Sequence, residues 1–219
     1  MFKGEKINSK VFADLFELVV NNMGFHEINI KFTNTGLKIQ SQKQDVVGFD
    51  TFIPSDKFKN YKLRDEFWIT ADIDRFYLFS NDKIDVYCDF DIIKFSSKRQ
   101  SLKFPTRQFD ESKEILLSPY GATVLVEFKE LKKILDVLGD EVTFRVEEKG
   151  TLIEDGKARY LLYSSKNKRM QSKFDNNLLK QLIKNFNGTG IMWIGDNSPL
   201  AIEYKTKDLD IYFYLAPKK

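Results

Sequence analysis

The chain has 219 residues, with 35 Lys or Arg against 32 Asp or Glu and a formal charge of +3. That near-balance excludes a simple polycationic nucleic-acid binder but leaves room for a local basic face. A single cysteine, Cys88, and a single histidine, His26, exclude an internal disulfide framework, a CxxC metal site and multi-histidine centres.

In chain order, four segments carry helical periodicity. SKVFADLFELVVNNM (9–23) opens on Ser9 as the expected N-cap and sets Val11, Phe12, Leu15, Phe16, Leu18 and Val19 on one broad face. DIDRFYLFS (72–80) is barely two turns long. EFKELKKILDVLG (127–139) aligns Phe128, Leu131, Ile134, Leu135 and Leu138, and DNNLLKQLIKNFN (175–187) aligns Leu178, Leu179, Leu182, Ile183 and Phe186. Almost everything else alternates in short β runs, among them HEINIKF, GLKIQSQ, EFWITA, KIDVYCDF, EVTFRVEE, ARYLLYSS and GIMWIG. Asn-Gly, Asp-Gly and Asn-Thr-Gly turns separate them.

Helices beginning near 9, 72, 127 and 175, each followed by about three strands, read as four copies of one unit, two to a domain. The expected class is α+β, with antiparallel sheets covered on one face by helices. The segment RQFDESKEILLSPYG (107–121) is the linker candidate, between an N-terminal domain over 1–106 and a C-terminal domain over 122–219. Nothing resembles a leader peptide, and no apolar run approaches the ~20 residues of a membrane span, so an intracellular, non-membrane protein is expected.

Catalytic constellations are scarce. His26, between Phe25 and Glu27 at a strand start, and Cys88, alternating with Val86 and Phe90, read as structural residues. The glycines of NGTG (187–190) lack the Lys-Ser/Thr that a phosphate loop requires. No enzyme, cofactor or metal is therefore expected. The polar helical faces say more: Lys129, Lys132 and Lys133 oppose only Asp136 on one helix, and Lys180 and Lys184 stand one turn apart on another. Lysine rows aimed away from a core suit phosphate contact without base specificity.

At this point the chain resembles a known family, the archaeal and eukaryotic sliding clamps of the proliferating cell nuclear antigen (PCNA) type. The ending SPLAIEYKTKDLDIYFYLAPK (198–218) is similar to theirs in its Pro-Leu, its strand closing on Glu-Tyr, its turn and its Tyr-Leu-Ala-Pro. MFKGEKINSKVFADL, TGLKIQSQKQDVVGFDTFIPSDKFKNY and FKELKKILDVLGDEVTFRV resemble the opening helix, the Gly-initiated strands and the start of the second domain.

The resemblance implies a ring of three identical subunits in the PCNA manner, with two similar clamp-fold domains per subunit and two helices per domain lining the hole. It implies a non-enzymatic processivity factor that encircles duplex DNA and tethers polymerases and repair enzymes, loaded by an ATP-driven clamp loader. By that reading Lys10, Arg75, Lys129, Lys132, Lys133, Lys180 and Lys184 face DNA. Gln42, Ile115, Leu117, Pro199, Tyr214, Ala216 and Pro217 form the pocket for PCNA-interacting peptides, with 107–121 as the interdomain connector. Gln100, Leu102 and Phe104 on one edge, and Ala158, Tyr160 and Leu162 on another, join subunits.

Three features depart from the family pattern. The segment 72–80 stands where clamps carry a longer, lysine-rich helix. The polar side of the first helix offers Asp14, Glu17 and Asn21 against Lys10 alone. Gln42 stands where clamps often place methionine. They motivate an alternative of another class: a clamp-like interaction protein, monomeric or part of a heteromeric ring, that binds clamp partners without closing a ring itself.

Overall fold

A computed structural model describes residues 1–44, 46–77, 82–110, 120–162 and 169–218. The chain divides into two compact units. One comprises Met1–Gln42, Asp50–Ile115 and Thr206–Asp210, the other Lys43–Phe49, Leu116–Lys205 and Ile211–Lys219.

In the first unit, β1 (Phe2–Asn8) leads directly into α1 (Ser9–Phe16), which continues as a π-helical stretch, Glu17–Asn22. The N-cap is Asn8, not the expected Ser9. Asn8 leaves β1 with an extended backbone, and its side-chain oxygen accepts the Lys10 N–H at 3.0 Å. Ser9 is already helical and fully buried. The anticipated apolar face is buried throughout, and Gly24, at φ 71°, ends the helix in the left-handed region that its missing Cβ permits.

The strands of this unit are β2 (Glu27–Thr33), β3 (Gly36–Lys43), β4 (Val47–Pro54), β5 (Asn60–Leu63), β6 (Phe67–Asp72), β7 (Lys83–Cys88), β8 (Ile92–Ser96) and β9 (Ser101–Gln108). Their hydrogen-bonded order is β4-β3-β2-β6-β9-β8-β7-β1-β5. Two aromatic clusters fill the core. Phe2, Phe32, Phe58, Tyr61 and Phe67 form one, and Phe12, Phe16, Phe76, Phe95 and Phe104 the other.

The helix expected over 72–80 does not form across 73–77. Its remaining positions, 78–80, lie outside the described residues. The adjacent aromatic side chains of Phe76 and Tyr77, with β-branched Ile73 before them, would lose rotamer freedom in a helix, and two turns return few hydrogen bonds. Phe76 instead buries its ring 4.4 Å from Phe16 and 5.1 Å from Phe95. The Asn21 side chain takes up its backbone, accepting from Phe76 N–H at 3.2 Å and donating to its carbonyl at 3.0 Å.

The second unit contains β10 (Ala122–Glu127), α2 (Phe128–Val137), β11 (Glu141–Glu147), β12 (Gly150–Glu154), β13 (Arg159–Leu162), β14 (Met170–Asp175), α3 (Asn176–Ile183), β15 (Thr189–Ile194), β16 (Leu200–Lys205) and β17 (Asp210–Leu215). The strands run in the orders β10-β15-β16-β17 and β13-β12-β11-β14. Phe213 anchors the core, its ring 5.0 Å from Phe186 and 6.2 Å from Phe49, while Phe186 stacks on Tyr204 at 4.4 Å. Gly190 allows β15 to pass beneath α2: a Cβ there would stand 2.4 Å from the Phe128 ring and 2.5 Å from the Glu203 carbonyl.

α2 and α3 stop each other's ends. The buried Asn176 amide, at the start of α3, donates to the carbonyls of Leu135, Leu138 and Gly139 at 2.9, 3.2 and 2.7 Å. In return Lys132 Nζ, on α2, donates to the carbonyls of Lys184 and Phe186 at 2.9 and 2.7 Å, just beyond α3. These carbonyls lie at or beyond helix ends, where intrahelical donors run out, although that of Leu135 also accepts the Leu138 N–H at 3.3 Å. The architecture is α+β, with mostly antiparallel sheets and, among the described residues, three α-helices.

Candidate functional site

The cations expected to face DNA fall into three situations. Lys129, Lys133 and Lys184 are exposed and Lys180 is half-buried, all on the polar sides of α2 and α3. Lys132 lies on the same face of α2, but its ammonium is committed to the end of α3, where a cation also favourably meets the negative end of the helix dipole. In the other unit, Lys10 lies 4.0 Å from Asp14 one helical turn on, and Arg75 is exposed in the non-helical segment. α1 therefore presents a partly neutralised face, whereas α2 and α3 present an exposed cationic one.

The C-terminal segment is fixed at alternate residues. The Ala216 N–H donates to the Val46 carbonyl and the Lys218 N–H to the Lys173 carbonyl, each at 2.7 Å. Pro217, which has no N–H to offer, sits between them half-exposed. The Lys218 ammonium pairs with Glu141 at 2.5 Å, and Lys173 pairs with the same carboxylate. These two partners hold the Glu141 carboxyl down to about 2. Tyr214 is buried at 7% exposure and Pro199 is half-buried. Gln42 is exposed at the end of β3, in the other unit. Ile115 and Leu117 lie outside the described residues.

Among the partly or wholly open strand edges of the described residues, β9 and β13 carry the side chains expected at subunit joints. β13 ends its sheet, pairing only with β12, and Leu161 is 48% exposed on it. β9 pairs with β8 over Ser101–Pro105 but meets β6 only from Thr106 to Gln108. Of the side chains expected at subunit joints, Leu102 and Phe104 are half-buried, with the Phe104 ring 5.9 Å from Phe76, and Gln100 Nε2 donates to the Tyr77 carbonyl. Tyr160 and Leu162 are half-buried too, and Ala158 gives its N–H to Asp155 in the preceding turn. What β9 and β13 leave open is their backbone, and unpaired strand edges are templates for another strand.

His26 is exposed, and Cys88 is buried, its thiol pushed up to about 12 by burial and by the neighbouring Asp89. No cluster of three or more metal-ligating side chains occurs among the described residues. Nor is any described helix long and apolar enough to cross a membrane.

Sequence reasoning missed the carbonyl-capping duty of Lys132 and the Asn176 amide that answers it. Helical spacing showed Lys132 on a polar face, but its partners lie more than fifty residues further along the chain. It also missed the cross-strand alignments of β5, β1, β7, β8 and β9, which depend on register.

No family model and no curated protein matches this chain. Solved structures do. An archaeal PCNA from A. fulgidus, solved with the C-terminal region of FEN-1 bound, superposes with a TM-score of 0.77 over 100% of this chain and 99% of its own, at 19% sequence identity. The chain has the PCNA-like clamp fold.

Proposed function

We propose that the protein is a DNA sliding clamp: a non-enzymatic ring, a homotrimer, that encircles duplex DNA and tethers replication and repair enzymes. The correspondence with an archaeal clamp over 100% of this chain and 99% of that one is the observation that carries this reading. Two open edges, on β9 and β13, offer one strand from each unit for joining neighbours by strand addition. Lys129, Lys133, Lys180 and Lys184 supply loose electrostatic contact, with Arg75 and Lys10 contributing less. Contact of this kind permits sliding because phosphates look alike along the duplex.

Pro199, Tyr214, Ala216 and Pro217 receive a partner's peptide through a few buried anchors, the role that the resemblance also assigns to Gln42, Ile115 and Leu117. The clamp solved with the FEN-1 C-terminal region supports a peptide partner of that kind. Segment 107–121 serves as the interdomain connector, a separate ATP-driven loader opens the ring, and a DNA-bound role makes the protein intracellular.

Light scattering on a sizing column, over a dilution series, tests the reading. A stable species at three times 25.7 kDa is expected. A monomer persisting at high concentration overturns the homotrimer and favours the second reading, a clamp-like interaction protein that does not close a ring alone. The non-helical 73–77 segment and the neutralised α1 are the observations on its side.

A further inference from the structure

Register places an unusual row of side chains on the solvent face of the first unit. Lys62 of β5 is paired with Lys3 of β1, Lys3 with Tyr87 of β7, Tyr87 with Lys94 of β8, and Lys94 with Lys103 of β9. Directly paired residues project to the same side of a sheet. The opposite side of these strands carries Phe2, Val86, Cys88, Ile93 and Phe95, all buried. The row therefore stands outward.

Five strands at about 4.8 Å spacing make a track of about 19 Å. Two of its four contacts, Lys62–Lys3 and Lys94–Lys103, oppose like charges directly, an arrangement that disfavours the sheet by itself. Only Lys3 has a carboxylate within ion-pair distance among the described residues, Glu5 at 2.6 Å. Lys3, Tyr87, Lys94 and Lys103, with Asp85 among them, also line one shallow cavity of about 500 Å³. The Tyr87 hydroxyl donates to Asp89 at 3.1 Å, which fixes the ring in the middle of the lysines.

We infer that this row is a binding track for single-stranded DNA. Lysines spaced along a groove around a central aromatic ring are what a single strand requires, phosphates meeting the ammoniums and a base stacking on the ring. The neighbouring row decides against a duplex or another broad polyanion. Glu5 and Asp85 stand two residues along β1 and β7 from Lys3 and Tyr87, Glu5 paired with Lys3 and Asp85 lining the same cavity. A second phosphate strand would lie over those carboxylates, whereas a single strand can follow the lysines beside them. The track is separate from the cations of α2 and α3, and it does not depend on ring closure.

Anisotropy of a labelled 20-nucleotide single strand, titrated with the full chain across a salt series, tests it. Four neutralised phosphates predict a slope of log affinity against log salt near −2.8, at about 0.7 for each contact. Lys94→Glu with Lys103→Glu should weaken binding at least tenfold and flatten the slope by about 1.4, while Lys94→Arg with Lys103→Arg should retain both. An unchanged melting temperature in the Glu pair separates lost binding from lost folding. Three outcomes overturn the inference. They are unchanged affinity in the Glu pair, a duplex of equal length binding better and losing as much, or a polyglutamate peptide binding where the single strand does not. These readouts concern single-strand affinity, whereas the proposed clamp is judged by its mass in solution, so the two readings can fail separately.

Discussion

The two units solve the same problem, holding helical segments against a sheet, by different means. In the second unit α2 and α3 cap each other through buried or half-buried side chains, Asn176 reaching three carbonyls of one and Lys132 two beyond the other. In the first unit α1 has no helical partner over 73–77. That segment is held by scattered contacts: the Asn21 amide and the buried Phe76 ring, the Ile73 N–H on the His26 carbonyl, and Gln100 on the Tyr77 carbonyl. A reciprocal cap makes two helices one cooperative element. Single contacts to several elements tie the segment down without making it one.

The largest effect should come from the amide at the centre of the reciprocal cap. Asn176→Ala removes the donor from three helix-end carbonyls in a fully buried place and should lower global stability by about 2–4 kcal/mol in denaturant titrations. Asn21→Ala should cost about 1 kcal/mol or less globally, its signature being faster amide exchange at Phe76 rather than a shifted unfolding midpoint. Equal global losses from both would abolish the distinction between the units.

Next in size is Lys132→Met, which keeps much of the side chain's length and apolar stem but removes its ammonium. It should cost about 1 kcal/mol through the carbonyls of Lys184 and Phe186, whereas Lys129→Met and Lys133→Met should leave stability unchanged. A neutral Lys132→Met would return that lysine to the free cations and sharpen the case for its facing DNA alone. Charge-reversal experiments on DNA binding are therefore best made at Lys129 and Lys184, where a lost function is not confused with a loosened helix.

How much of this was legible in the sequence follows from the range of each interaction. The apolar stripes of α1, α2 and α3 could be read because helical spacing brings Phe12 and Phe16, or Leu131 and Leu135, onto one face without tertiary knowledge. The segment 72–80 could not, because what decides it is a ring buried against Phe16 and Phe95 and an amide 55 residues earlier in the chain. The shift of the cap from Ser9 to Asn8 is the same lesson at one-residue scale: both residues cap well, and the exit from β1 chooses between them. At the candidate site, the Tyr-Leu-Ala-Pro ending was plain in the sequence. The double fastening of that ending, to Val46 and Lys173, was not.

The smallest predicted effect concerns that fastening. Glu141 titrates near 2, below its ordinary 4.5, because Lys173 and Lys218 hydrogen-bond its charged form. A depressed carboxyl contributes above its unfolded value and loses that contribution as pH falls from there through the folded one, so the clasp weakens between about 4.5 and 2. Lys218 is raised above 10.5, chiefly by its hydrogen bond to Glu141, and holds its contribution until pH climbs through that raised value. The C-terminal segment should thus stay fastened across the whole neutral range and loosen only at the extremes. Both groups are fully exposed, so salt screens the pair and global unfolding should scarcely register it. Carboxypeptidase trimming reads it directly: at pH 7 Glu141→Gln should release the final residues faster, as acid does in the unaltered chain. The equally depressed Glu5 of the first unit, held near 2 by Lys3 and Asn60, is the control, since Glu5→Gln should leave trimming untouched. If Glu141→Gln trims no faster, the backbone bonds of Ala216 and Lys218 alone hold the segment. The peptide site would then be set by strand geometry rather than by charge.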